Sequence, residues 1–203
     1  MTMTSINNDI VMRRFLGKTT CLGLLLAVLI LVPGGSVENN RVFAQETEEL
    51  IAPEAETFFD ISFGDLQEEA MLADEEGKKG VLVMFETMDC PWCMRMKQQV
   101  LNRIRVQEYF RANFRVISVD AEGDVPVVDF NGEEMLSKEF ALKSLRVRAT
   151  PVFAFFDTSG SLMARYTGAV KNTHDFMLLG RYVVEDHYQK ERFNRFRRAN
   201  QPG

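Results

Sequence analysis

Val81-Leu82-Val83-Met84-Phe85, with Cys90-Pro91-Trp92-Cys93 following four residues later, is the stretch that decides how this chain folds. Five consecutive apolar residues are short enough for a strand buried on both faces. From Met94 the period changes. Met96, Val100, Leu101, Ile104 and Val106 fall on one side and charges on the other, which predicts a helix over 94–110. The two cysteines therefore sit where a buried strand ends and a helix begins.

That placement has a chemical consequence. Unpaired backbone N–H groups and the positive end of the helix dipole favour an anion at the first turn. A cysteine there has a lowered thiol pKa and a larger thiolate fraction. Cys93 lies one turn on, within disulfide reach, and Pro91 at the first helical position suits its fixed φ and missing N–H. Cys90 is read as the attacking, partly exposed nucleophile and Cys93 as the buried resolving thiol. Other uses of paired cysteines fit less well. Structural zinc needs four ligands, whereas His174 and His187 lie far down the chain on a predicted surface helix. Haem attachment needs a histidine after the second cysteine, where Met94 stands. A disulfide closing so short a loop would constrain the unfolded chain little.

Working outward, residues 58–80 carry Phe63, Leu66, Ala70 and Leu72 at near-helical spacing, with Ser62 as N-cap and Gly77 as stop. Residues 114–120 alternate and predict a second core strand. Residues 121–136 read as an insertion containing a hairpin, turned at Asn131-Gly132. A short helix capped by Ser137 follows over 137–145. Val152-Phe153-Ala154-Phe155-Phe156 is a third strand, residues 162–168 a fourth, antiparallel one, and a helix capped at Asn172 or Thr173 runs to Tyr188. The order joins a βαβ half to a ββα half, which predicts an α/β fold with a mixed central sheet flanked by helices. The basic stretch 189–203 reads as a solvated, disordered tail, with contact to anionic lipid or an acidic partner as the alternative.

Composition narrows the class. The chain has 203 residues, 46% hydrophobic and 26% charged, which excludes a mostly disordered protein. Three cysteines cannot build a disulfide-rich scaffold. With 24 Lys and Arg against 29 Asp and Glu, the formal net charge is −5, and no nucleic-acid partner is expected. The N-terminus looks like a targeting segment. Arg13, Arg14 and Lys18 precede an apolar run of 12 residues at 21–32, and Val42-Phe43-Ala44 offers small residues before Gln45. The run is short of the roughly 20 residues that a membrane span needs, so residues 1–44 read as a signal peptide cleaved near Ala44, by the general or the twin-arginine route. Residues 45–57 form an acidic leader. Removing 44 of 203 residues leaves 159, with Cys90 and Cys93 as the remaining cysteines. The lost segment holds four basic and two acidic residues, which takes the net charge from −5 to −7. The mature protein is then expected in the periplasm or another exported, disulfide-permissive compartment.

One further stretch points the same way. Ala149-Thr150-Pro151 stands just before the third strand, where a proline is tolerated because no ladder N–H is needed. With Cys90-Pro91-Trp92-Cys93 upstream, residues 58–188 resemble the thioredoxin-fold family. The resemblance implies a cis Thr150-Pro151 loop facing the disulfide, with Pro91, Trp92, Thr150 and Pro151 binding substrate. It implies no cofactor beyond the redox-active Cys90–Cys93 disulfide. Met84-Phe85-Glu86, the acidic insertion at Asp129-Phe130-Asn131-Gly132-Glu133-Glu134 and the export signal resemble, more narrowly, the SoxW-like periplasmic thioredoxins. There are departures. Asp89 takes the place of a tryptophan and opposes ionisation of Cys90, and Met84 takes the place of a buried aspartate. Glu86, two residues after Met84, is the carboxylate nearest that position and the candidate proton relay.

The expected activity is thiol–disulfide exchange on a protein or small-molecule disulfide, recharged by a membrane thiol electron donor. Disulfide donation or isomerisation, and a non-catalytic chaperone or binding module, are the alternatives. A monomer without a metal site is expected. Met84, Met88, Met94 and Met96 around the cysteines read as packing and a soft substrate surface rather than a copper site, because thioether sites normally add Cys or His ligands.

Overall fold

The computed structural model describes residues 58–201. The expected signal peptide, Cys21 and the leader lie outside them. β1 (Gly80–Glu86) is the inner strand of a four-stranded sheet ordered β2-β1-β5-β6. It pairs in parallel with β2 (Phe114–Asp120) and antiparallel with β5 (Val152–Asp157), which pairs antiparallel with β6 (Leu162–Thr167). The sheet is thus mixed, as the element order predicts.

β1 is apolar throughout because both its faces are covered. Leu82 and Met84 join Phe114, Val116, Phe153 and Phe155 on one side. There they meet α3 (Ile104–Asn113) and α5 (Thr173–Val184), whose Phe110 and Phe176 rings stack at 4.5 Å. Val81, Val83 and Phe85 join Ile117, Val119, Ala154 and Phe156 on the other side, under α1 (Leu66–Glu75) and the helix starting at α4 (Ser137–Glu139). Gly80 starts β1 with φ +150°, and a Cβ there would lie 1.9 Å from the Phe156 carbonyl oxygen. Only glycine lets the two backbones approach so closely.

Several boundaries differ from expectation. α1 begins at Leu66, and its N-cap is Asp65, whose Oδ1 accepts from the Glu68 N–H at 2.9 Å. Ser62 Oγ is used one turn earlier, accepting from Gly64 N–H, so Phe63 is left exposed rather than facing the core. The single helix expected over 94–110 is divided. α2 (Pro91–Met96) runs into a π-helical turn at Lys97–Leu101, and α3 starts afresh after Arg103. The Gln107 side chain donates to the Leu101 carbonyl, which the break leaves without its helical partner. Ser137 is the first residue of α4 and not its cap; its hydroxyl donates to the Gly123 carbonyl and ties the insertion down. α4 also continues as a π-helical turn, Phe140–Ser144. Asn172 caps α5, which ends at Val184 rather than Tyr188.

The insertion does contain a hairpin, β3 (Pro126–Val128) with β4 (Glu134–Leu136), and Gly132 turns it at φ +82°. The turn is organised by Asp129, which is buried and accepts from the N–H groups of Asn131 and Glu133 at 2.8 and 2.9 Å.

The C-terminal stretch is not a disordered tail within the described residues. α6 (Phe193–Ala199) docks Phe196 against Tyr182 and His187, and Tyr182 donates to the Glu191 carbonyl at 2.6 Å. Phe193 and Phe196 supply an apolar stripe that the count of arginines conceals. His174 is exposed, whereas His187 is stacked on Phe196.

A buried ion pair holds α1 to the sheet edge. Glu69 is buried, and Arg115 of β2 meets it at 2.8 Å while reaching Glu76 at 3.2 Å. Arg115→Ala would strand the Glu69 carboxylate in the interior and is expected to cost about 3–5 kcal/mol, read as a lower urea midpoint at unchanged slope. An unchanged midpoint would show that Glu69 is solvated. Acid should loosen the hairpin first. Burial alone would raise the Asp129 pKa, but the N–H groups of Glu133 and Asn131, with the Asn131 side chain, outweigh it and hold the carboxyl below its ordinary value. A depressed folded pKa stabilises fully above the unfolded value of about 3.9 and is lost as pH falls through the folded one. Amide exchange in 126–136 is therefore expected to accelerate below about pH 4, and less so in Asp129→Asn.

Candidate functional site

The alternation that builds β1 also builds the site. Leu82 and Met84 face the side on which Cys90, Cys93 and Met96 are packed, and Glu86, two residues beyond Met84, continues that face. The chain then turns through Thr87, whose carbonyl accepts from the Cys90 N–H. Cys90 is the N-cap of α2 and Pro91 its first residue. Cys90 and Cys93 are joined in a disulfide with their Cα atoms 5.2 Å apart.

The two sulfurs are not equivalent. Cys93 is fully buried, whereas Cys90 retains 5% of its surface, less than the partial exposure read from the sequence. The Cys93 N–H points at Cys90 Sγ at 3.0 Å. In the reduced protein that donor, with the rest of the helix start, favours a thiolate on Cys90. Around this point lies an apron of exposed apolar groups. Pro91 is exposed, Trp92 and Met94 are each 55% exposed, and Met88 is 89% exposed.

Glu86 and Cys93 line one hollow of about 310 Å³, together with Cys90, Lys97 and Asp120. Glu86 is half-buried there. Its Oε1 lies 2.9 Å from Lys97 Nζ and also accepts from the Ser118 hydroxyl. Met84, at the place of the family's buried aspartate, is fully buried, so Glu86 is the carboxylate at this cavity wall next to the cysteines along β1. Asp89 is exposed beside Cys90.

The pre-proline loop arrives from the neighbouring strand. Phe85 of β1 pairs with Val152 of β5, so Pro151 stands across from Glu86 at the same sheet end as the disulfide. The Thr150-Pro151 peptide bond is cis, and the Pro151 carbonyl is taken by Gly168 N–H at 2.8 Å. Pro151 is buried and Thr150 half-buried. Thr150 and Ala149 share a groove of about 390 Å³ with Trp92. The structure therefore brings Trp92 and Thr150 together as two walls of one groove, whereas Pro91 is exposed at the start of α2 and Pro151 is buried, and neither lines it.

Sequence reasoning missed the cations around these walls. Arg95 lies with its guanidinium 5.8 Å from the Trp92 ring centre, and its i+3 spacing from Trp92 was the signal available. Lys97, Arg148 and Lys171 line the hollows but come from separate segments, with no spacing to connect them. Among the described residues no three His, Cys, Asp or Glu side chains gather to hold a metal ion, and no helix is long and apolar enough to cross a membrane.

No curated protein sequence is significantly similar to this chain. A thioredoxin-fold protein from Helicobacter pylori superposes with a TM-score of 0.52 at 20% identity, covering 68% of this chain and 83% of its own. A thioredoxin from Thermus thermophilus is 26% identical, with a TM-score of 0.46 over 58% of this chain and 82% of its own. A structure described as DsbH oxidoreductase is 16% identical, with a TM-score of 0.48 over 75% and 94%. The Helicobacter superposition establishes a shared fold. The thioredoxin-like domain model matches residues 66–183, more than half of the sequence and every element from α1 to α5, so the chain belongs to the thioredoxin-like domain family.

Proposed function

We propose that the protein is a thiol–disulfide oxidoreductase that works through Cys90 and Cys93 without any other cofactor. The observation that carries this reading is the asymmetry of the pair: Cys90 reaches the surface at a helix start and receives the Cys93 N–H, while Cys93 is fully buried. In the reduced protein the Cys90 thiolate attacks one sulfur of a substrate disulfide. A mixed disulfide forms and the first substrate thiolate leaves. The Cys93 thiol then loses its proton and attacks Cys90 Sγ, which releases the second substrate thiol and restores the Cys90–Cys93 disulfide. Two electrons have passed to the substrate, and an external dithiol, read as a membrane-borne donor, supplies two more to the Cys90–Cys93 disulfide and is itself oxidised to a disulfide.

Trp92, Pro91, Thr150 and Pro151 form the surface on which the disulfide-bearing segment lies in this reading. Glu86 accepts the Cys93 proton, supported by its place on the wall of the cavity that Cys93 also lines. Asp89 beside Cys90 opposes thiolate formation. Strong oxidants of this type owe their potential to a stabilised reduced form, so Asp89 supports the reducing direction over disulfide donation. The N-terminal pattern of basic, apolar and small residues supports export to the periplasm. Placement beside the SoxW-like proteins rests on Met84-Phe85-Glu86 and the acidic insertion.

The decisive experiment is Cys93→Ser. It should trap substrate covalently on Cys90, seen by mass under non-reducing conditions and absent from the Cys90→Ser, Cys93→Ser double variant. The parent should reduce insulin with a potential near that of thioredoxin, about −270 mV, and not near the roughly −120 mV of DsbA. No adduct, together with no disulfide reduction by the parent, would overturn the reading. Glu86→Gln tests the relay. Release of the mixed disulfide is expected to slow about tenfold near pH 6–7, with the deficit shrinking as pH rises and Cys93 ionises unaided. A deficit independent of pH would assign Glu86 a structural role instead.

A further inference from the structure

We infer that the substrate's disulfide is carried on an acidic, extended polypeptide segment, bound along the cationic groove on both sides of Ala149 and Thr150. The inference rests on the oxidoreductase reading and names its substrate class. Two hollows, of about 390 and 500 Å³, meet at the Ala149-Thr150 ledge, which walls both. The first reaches back to Trp92 beside the disulfide. The second extends from the ledge between Thr87 and the helix after the insertion, with Val147 and the exposed Leu142 among its apolar lining. Together they form an open track beside Trp92, which stands between the two cysteines in sequence, rather than a closed pocket for a small molecule, and the shared ledge at its middle suits an extended segment.

The charge along this track is one-sided. Arg95 and Lys171 border the first hollow, and Lys138, Lys143 and Arg148 the second, against Glu122 and Glu139. Glu139 is already met by Lys143 at 2.7 Å, and Lys138 is paired with Asp124. That leaves Arg95, Arg148 and Lys171 without a carboxylate partner among the described residues, opposed by Glu122 alone. Arg95 is held over Trp92 by a bond to the neutral Gln99 at 3.1 Å, so its charge remains available. Such a concentration stands out in a chain whose formal net charge is −5. The hollow that the cysteines themselves line carries Asp120 and a Glu86 paired with Lys97, and the exposed Asp89 lies beside Cys90. A segment with acidic residues would be drawn to the Thr150 side and turned away from Asp89 and Asp120, which fixes the direction of approach to Cys90.

The test uses the purified full-length protein and three disulfides: neutral 2-hydroxyethyl disulfide, and two peptides with the same disulfide flanked by glutamates or by lysines. The glutamate peptide is expected to show a kcat/KM about tenfold higher at low ionic strength, narrowing to about twofold in 0.5 M salt. The double variant Arg148→Glu, Lys171→Glu should reverse the ratio between the peptides, an internal comparison that does not depend on its overall rate. Equal kcat/KM for the two peptides, or a preference that neither salt nor the double variant changes, overturns the inference while reduction of the neutral disulfide leaves the oxidoreductase reading standing. Failure on the neutral disulfide as well removes both.

Discussion

Burial of β1 on both faces is the constraint from which the rest of the structure follows. A strand sandwiched between two layers must be apolar at every position, and its side chains must alternate between them. Leu82 and Met84 are committed to the layer of α3 and α5, Val81, Val83 and Phe85 to the layer of α1 and α4. The strand ends where the apolar run ends, at Glu86. The chain leaving it can then place a helix start, and with it Cys90, at the edge of the sheet. The parallel partner β2 and the antiparallel partner β5 flank the same strand. The Thr150-Pro151 loop therefore lands at the same end without any local signal linking it to the cysteines.

The same constraint distributes charge around the disulfide. Because Glu86 continues the face of Leu82 and Met84, its carboxylate falls on the cysteine side and is neutralised by Lys97 from the turn after α2. The other flank is built from the segment just before β5, the loop before α5 and the helix after the insertion. Those segments contribute cations with few carboxylates to meet them. The site is thus polar across its width: acidic beside β2, basic beside the pre-proline loop, with apolar Trp92, Met88 and Met94 between. Charge separated this way orients a partner before contact and does so at little cost to folding, since the groups remain solvated.

Legibility varied with the range of the interaction. The strands were readable because a buried apolar run needs no partner to declare itself. Caps were harder. Ser62 and Ser137 have the right chemistry for helix starts, yet Asp65 stands nearer the first buried leucine, and Ser137 finds a better acceptor in the Gly123 carbonyl. The division of the helix after Leu101 turns on Gln107 satisfying a freed carbonyl, an interaction that periodicity does not register. The C-terminal arginines masked two phenylalanines whose partners, Tyr166, Tyr182 and His187, lie at or before the end of the stretch read as a helix.

By itself the sequence determined the strand–cysteine–helix arrangement, the mixed sheet, the hairpin in the insertion and the pairing of Cys90 with Cys93 as candidates. Each follows from local period, turn chemistry or close spacing. Tertiary structure alone decided how nearly Cys90 is also sealed, that Glu86 shares a cavity with Cys93, and that Arg95, Arg148 and Lys171 border two hollows joined at the Ala149-Thr150 ledge. Burial and the electrostatics of a groove depend on residues dozens of positions apart being packed side by side, and no periodicity along a single segment encodes that.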